Sequence, residues 1–212
     1  MIKVTNLTKK FKTTTVLNNV SVEFNQGQIY GIVGRNGSGK TVLFKCICGF
    51  LKPTSGAVTV GNRIIGKDCD MIQNAGIILE TPGFLSGYSG LKNLQFLAGI
   101  NSKLTKNDLM NILDRVGLSH AVNKHVSKYS LGMKQRLGIA QAIMENPDIL
   151  ILDEPMNGLD NDGVLEMREL FMGLKEQGKT ILLASHNRED IETLCDEVFY
   201  MDKGIMTTAV AN

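Results

Sequence analysis

The chain has 212 residues, 43% of them apolar, which suits one large α/β domain with a sizeable core. A formal net charge of +2, with no long Lys/Arg stripe, gives no footprint for a nucleic acid, and no such partner is expected. No run approaches the ~18 apolar residues of a membrane-spanning helix, and Met1 to Thr5 reads as a strand start rather than a signal peptide. The chain is therefore expected in the cytosol, reaching a membrane only through a partner.

In chain order, Ile2 to Phe11 and Val20 to Phe24 read as strands around a polar turn at Lys12 to Thr15. Lys9, Lys10 and Lys12 there read as a solvated edge. Ile29 to Val33 is a short apolar run fit for a buried strand, and a glycine-rich loop follows it. Val42, Leu43, Ile47, Phe50 and Leu51 then recur at helical spacing, and a turn at Pro53 to Gly56 leads into strand-like Ala57 to Val60. From about Leu85 to Met144 the period is helical, with Leu91, Leu94, Leu97 and Ala98 in one segment and Leu109, Ile112, Leu113 and Val116 in another. Gly117 is placed to end the second. We expect a mainly helical lobe, approximately residues 85–146, inserted in the α/β core.

The core resumes with strand Ile149 to Leu152, a helix from Gly163 to Gln177, a strand Thr180 to Ala184, a helix Glu189 to Leu194 and a strand near Val198 to Met201. Cys46 and Cys48, two apart in a helix, diverge, and no second Cys or His pair completes a zinc site. All four cysteines, with Cys69 and Cys195, are expected to be small buried residues.

Gly34-Arg35-Asn36-Gly37-Ser38-Gly39-Lys40-Thr41 satisfies G-x-x-x-x-G-K-[ST] between a strand and a helix. Glycines let backbone N–H groups turn inward around a phosphate, and the helix N-terminus adds unpaired donors and a favourable dipole. Lys40 is placed to reach the β- and γ-phosphates of ATP, and Thr41 to ligate Mg²⁺. The apolar strand ending in Asp153-Glu154 supplies a second contact to Mg²⁺ through Asp153, while Glu154 can turn to the other side and polarise the attacking water.

With these motifs placed, the chain resembles the nucleotide-binding domain of ABC transporters over nearly its whole length. The resemblance implies a phosphate-loop NTPase core with an antiparallel β subdomain and the inserted helical subdomain, in a single domain spanning 1–212. Tyr129-Ser130-Leu131-Gly132-Met133 resembles the family's L-S-G-G-Q signature, keeping only Ser130 and Gly132. The family reading has Ser130 bind the γ-phosphate held by the opposite subunit; Ser130 is equally suited to cap the following helix. Asp160, in Asn157-Gly158-Leu159-Asp160, resembles the D-loop acid at the dimer interface, and His186 resembles the switch histidine that senses the γ-phosphate. His120 and His125 read as structural or solvated. Phe11 resembles the aromatic that stacks on adenine, which tolerates other bases and so admits GTP; plain core is its other reading.

One position departs from the family. Where a glutamine usually contacts Mg²⁺ and relays to the membrane partner, this chain has Glu80, followed by Thr81-Pro82. A carboxylate can still ligate Mg²⁺ but brings a negative charge beside the phosphates. The Glu80 variant with the Ser-Leu-Gly-Met signature resembles the bacterial subgroup that exports bacitracin and lantibiotics. The resemblance thus implies ATP hydrolysis powering export, in a dimer of two copies joined to separate transmembrane permease subunits on the inner membrane face. A non-transport ABC ATPase acting on ribosomes or DNA is the alternative.

Overall fold

The structure, a computed structural model, describes residues 1–80, 83–101 and 104–208. Strands β1 (Ile2–Phe11) and β2 (Thr14–Phe24) pair antiparallel. The second strand begins six residues before the point where apolar alternation becomes readable. Asn6 at φ 48 and Asn19 at φ 53 sit where the pairing register shifts, and such bulges erase the two-residue period that sequence reading depends on. The turn therefore shrinks to Lys12 and Thr13.

After β3 (Ile29–Val33) and the glycine-rich loop comes α1 (Lys40–Cys48), which stops at Gly49 in the left-handed region. Phe50 and Leu51, counted into that helix from their spacing, lie beyond it, and Phe50 is half exposed. Strands β4 (Ser55–Val60), β5 (Arg63–Ile64) and β6 (Ala75–Ile78) follow. Next come α2 (Gly90–Asn101), α3 (Lys106–Arg115) and α4 (Leu131–Ile143). The remaining elements are β7 (Ile149–Asp153), α5 (Asn161–Glu176), β8 (Thr180–Ala184), α6 (Arg188–Leu194), β9 (Glu197–Asp202) and β10 (Ile205–Thr208). The last of these was not anticipated: it is short and mostly exposed, so no apolar run announces it.

The strands form two sheets, an antiparallel one ordered β2-β1-β4-β5 and a six-stranded one ordered β10-β9-β3-β8-β7-β6. Within the second, β9, β3, β8, β7 and β6 run parallel and only β10 is reversed. Strands β3, β7 and β8 at its centre are buried at successive residues because both faces are covered. Ile29, Ile78, Leu150, Leu152, Ile181 and Leu183 face a core shared with α2 to α5. Tyr30, Ile32, Ile151, Leu182 and Ala184 face α1 and the antiparallel sheet. Phe24, Tyr30 and Phe199 join the two sheets, with neighbouring ring centroids 5.1, 5.7 and 6.2 Å apart. Each such fully buried side chain contributes roughly 1.5–3 kcal/mol by leaving water.

Between β6 and β7 the described residues hold helices and no strand. Thr105 and Asp108 cap the start of α3 reciprocally, and Gly117 at φ 73 follows its end as the sequence predicts. Ile139, Ala142 and Ile143 of α4 pack into the core that also takes Ile78 and Leu150, so this helix fastens the helical segment to the sheet edge. Cys46 and Cys48 are buried on α1, where burial pushes their thiols up to about 11 and about 12. Cys69 and Cys195 are only half buried, contrary to expectation, because one sits in the turn before β6 and the other follows α6 at its end.

Candidate active site

Four chemical groups converge at the C-terminal ends of parallel strands, where open α/β sheets bind ligands. The loop Gly34 to Thr41 follows β3, Asp153 ends β7, His186 lies two residues past β8, and Glu80 lies two residues past β6. The first is the start of α1. Its cap, Gly39, has φ 115 and no side-chain hydrogen bond, and the first turn holds no acid. Gly37 has φ 79 but open space where a Cβ would stand, so backbone conformation and not crowding calls for glycine there. Four orphan helix donors are thereby left to a ligand.

Lys40 is buried, yet its Nζ donates to carbonyls alone, Gly34 O at 2.7 Å and Arg35 O at 3.4 Å. A buried ammonium with no carboxylate partner among the described residues is arranged for an anion. Ser38 is buried beneath the loop and its hydroxyl has no hydrogen-bond partner there. Gly34 is part of that floor, since a Cβ on it would come within 2.3 Å of Met201 O. Asn36, Gly37, Gly39, Lys40 and Thr41 face a cavity of about 600 Å³.

Asp153, Glu154 and Glu80 are on the same cavity wall. Thr41 Oγ1 donates to Asp153 Oδ2, which brings the loop hydroxyl and the strand-end carboxylate together. Glu154 occupies the left-handed region at φ 51, and its N–H donates to Ala184 O at 2.9 Å. Leaving the strand conformation lets two adjacent acids serve one cavity. Glu154 Oε2 lies 2.8 Å from His186 Nδ1; an ionised carboxylate only accepts, so this contact calls for a proton on Nδ1. Among the described residues no three His, Cys, Asp or Glu side chains cluster to hold a metal alone. Hydroxyl and carboxylate oxygens beside a phosphate site do fit Mg²⁺, which prefers one or two protein ligands plus phosphates.

Ser130, Gly132 and Asp160 are elsewhere. They line a separate depression of about 300 Å³ together with Gly158, Arg136 and His120. Ser130 caps α4 by accepting from Met133 N at 3.2 Å, and Asp160 caps α5 by accepting from Gly163 N at 3.0 Å. Gly132 leaves no room for a side chain: a Cβ there would lie 2.8 Å from Gly158 O. Phe11 is on neither wall. It ends β1 at 43% exposure with Lys9 Nζ 4.8 Å from its ring centre, so it is not plain core. His120 and His125 are exposed. Glu80 has φ 64 and pairs with Lys45, and Thr81 and Pro82 lie outside the described residues.

Val16, Val42, Leu131, Gln135 and Asn157 also line the cavity wall, and sequence reading gave none of them a role there. Gln135 left a usable signal, a polar residue buried mid-helix, and its Nε2 donates to Glu154 O at 3.3 Å.

The ABC transporter family profile matches residues 17–157. An ABC transporter ATP-binding protein of Bacillus subtilis, YybJ, is 45% identical over 99% of this chain and 96% of its own length. The bacitracin transport ATP-binding protein BcrA of Bacillus licheniformis is 42% identical over 96% of this chain and 67% of its own. The lantibiotic transport ATP-binding protein SrtF of Streptococcus pyogenes is 36% identical over 96% and 88%. Among solved structures, a dimeric ATP-binding cassette bound to ADP and Pi superposes over the whole of both chains with a TM-score of 0.88 at 22% identity, a likeness of fold.

Proposed function

The chain belongs to the ABC transporter family as an ATP-binding subunit, and on that premise we propose that its cavity is half of an ATP-hydrolysing site shared with a second copy. The observation that carries this reading is the meeting of Lys40, the Thr41–Asp153 pair and Glu154 on one wall, with His186 against Glu154 from outside it, while Ser130, Gly132 and Asp160 face a different depression.

In this reading Lys40 donates to the β- and γ-phosphates of ATP, joined by backbone N–H groups of the loop, and Thr41 and Asp153 hold Mg²⁺. Bound Mg²⁺ supplies charge neutralisation at those phosphates. Glu154 takes the proton of the attacking water, whose oxygen bonds to the γ-phosphorus as the bond to the bridging oxygen breaks, leaving ADP and Pi. His186 keeps Glu154 aimed. Ser130 and the start of α4 from the second copy close over the γ-phosphate, with Asp160 at the interface. Phe11 stacks on the base.

Residues 85–146 act as the helical lobe, and the stretch from Glu80 to Gly90 passes closure to membrane subunits. Among the described residues no helix is long and apolar enough to cross a membrane. We place the chain peripherally on the inner face, held by separate permease subunits. Relatives named for bacitracin and lantibiotic transport, together with Glu80, favour export of a peptide antibiotic over the ribosomal or DNA alternative.

Glu154→Gln tests the assignment. Turnover should fall roughly 10²- to 10⁴-fold, the range of a positioned base, with ATP binding kept and an ATP-dependent dimer appearing on size exclusion. Undiminished turnover would remove Glu154 from the chemistry. For cargo, loss of the gene should sensitise cells to bacitracin or a lantibiotic, and unchanged sensitivity to both would count against that class.

A further inference from the structure

The cavity wall carries one ammonium, Lys40, against three carboxylates, Glu80, Asp153 and Glu154, which leaves two formal negative charges where a polyphosphate is to bind. Any further cation close to that wall has a large effect on affinity for an anion. Lys45 is such a cation. Its Nζ lies 2.5 Å from Glu80 Oε1, and Glu80 is its sole ion partner among the described residues. It stands four residues after Thr41 on α1, so one helical turn sets its stem on the same face as the loop hydroxyl. Glu80, held at φ 64 just past β6, brings its carboxylate to meet it across 35 positions of sequence.

We propose that Lys45 is a positioning residue of the nucleotide site: it neutralises Glu80 and holds that carboxylate at the rim, so the pair faces the polyphosphate with no net charge. The inference rests on reading the cavity as the nucleotide site. It explains how the chain accommodates an acid where the resemblance leads one to look for a neutral amide. It also separates two effects of Glu80, since the metal-binding role needs a free oxygen while repulsion of phosphate needs only an unpaired charge. The side chains of Lys45 and Glu80 are 30% and 66% exposed, so the pair adds little to stability, and its loss is felt by the ligand.

The test is ADP binding with EDTA present, by calorimetry at low salt, on wild type, K45Q, E80Q, K45Q/E80Q and K45R. Without metal to mask it, K45Q should weaken ADP roughly 3- to 10-fold, a Coulombic effect of the size that partly exposed charges exert. K45R and K45Q/E80Q should return to within about 2-fold of wild type, and 0.5 M salt should shrink the K45Q deficit. Thermal midpoints should move by no more than ~3 °C. Equal weakening in K45Q and K45Q/E80Q would show Lys45 acting without Glu80 and overturn the proposal, as would wild-type affinity in K45Q. Should K45Q fail to fold, the charge swap K45E/E80K carries the same test: near wild-type affinity supports the pairing, and a deficit of roughly 3- to 10-fold in the swap refutes it. Failure of the underlying reading looks different, because wild type itself would then bind no ADP, or Lys40→Ala would bind it as tightly as wild type.

Discussion

Two helices open onto the functional surface, and they begin in opposite ways. Helix α1 starts from a glycine with no side-chain cap, above a buried ammonium answered only by carbonyls. Helix α4 starts from Ser130, whose own hydroxyl accepts from Met133 N and completes the cap. The first helix end is left unfinished by its own chain, while the second is finished. A half-site that binds alone must hold unanswered donors at some cost in stability, whereas one that acts only on docking has to be stable before its ligand arrives. The contrast supports the proposed division, with binding at the loop and closure at the signature-like segment.

The sharpest way to break that division is Lys40→Ala. Removing the buried ammonium should weaken nucleotide binding about 100-fold, or ~2.8 kcal/mol, the upper range for a charge-assisted hydrogen bond. Retained affinity in a titration of the isolated chain would dissolve the contrast. Ser130→Ala should do the reverse. Nucleotide affinity should stay within about 2-fold, stability should fall by about 1 kcal/mol for the lost cap, and turnover should fall about 100-fold, as for one lost donor to a reacting oxyanion. Ser130→Asp separates the two roles, because a carboxylate restores the cap and the thermal midpoint but repels the γ-phosphate of the second copy. If Ser130→Ala weakened binding as much as Lys40→Ala, the halves would not be distinct.

The same contrast governs what could be read without coordinates. The loop was legible in full because each of its requirements is local: positive φ at Gly37 and Gly39, a lysine beside a helix start, an acid at the end of an apolar strand. The cap at Ser130 was legible for the same reason. What escaped is settled by chain segments far apart. Glu154 turns out of its strand because β8 accepts its N–H, and His186 meets it across two strand ends. Lys45 gained meaning only when β6 delivered Glu80 to it. Bulges at Asn6 and Asn19 hid the first half of β2, and Gly49 ended α1 before the apolar spacing did. Sequence order placed the signature, Asp160 and His186, but only packing sets Ser130 and Asp160 on one depression and His186 against Glu154, which lines the other.

The smallest effect is expected at Phe11, and it sharpens the binding half of the comparison. The ring is 43% exposed at the end of β1, so truncating it removes little core. Lys9 Nζ sits 4.8 Å from its centre, holding one face against a cation and leaving the ring available to a base. Stacking on an aromatic is worth about 1 kcal/mol at the low end, so Phe11→Ala should weaken nucleotide about 5-fold with the thermal midpoint nearly unchanged. Every base has a π-face, so ATP and GTP should lose affinity alike. Phe11→Tyr should restore both. A variant that lowers the midpoint while leaving both affinities intact would make Phe11 a packing residue of the β1–β2 hairpin, and base recognition would then have to come from Val16, which already lines the cavity.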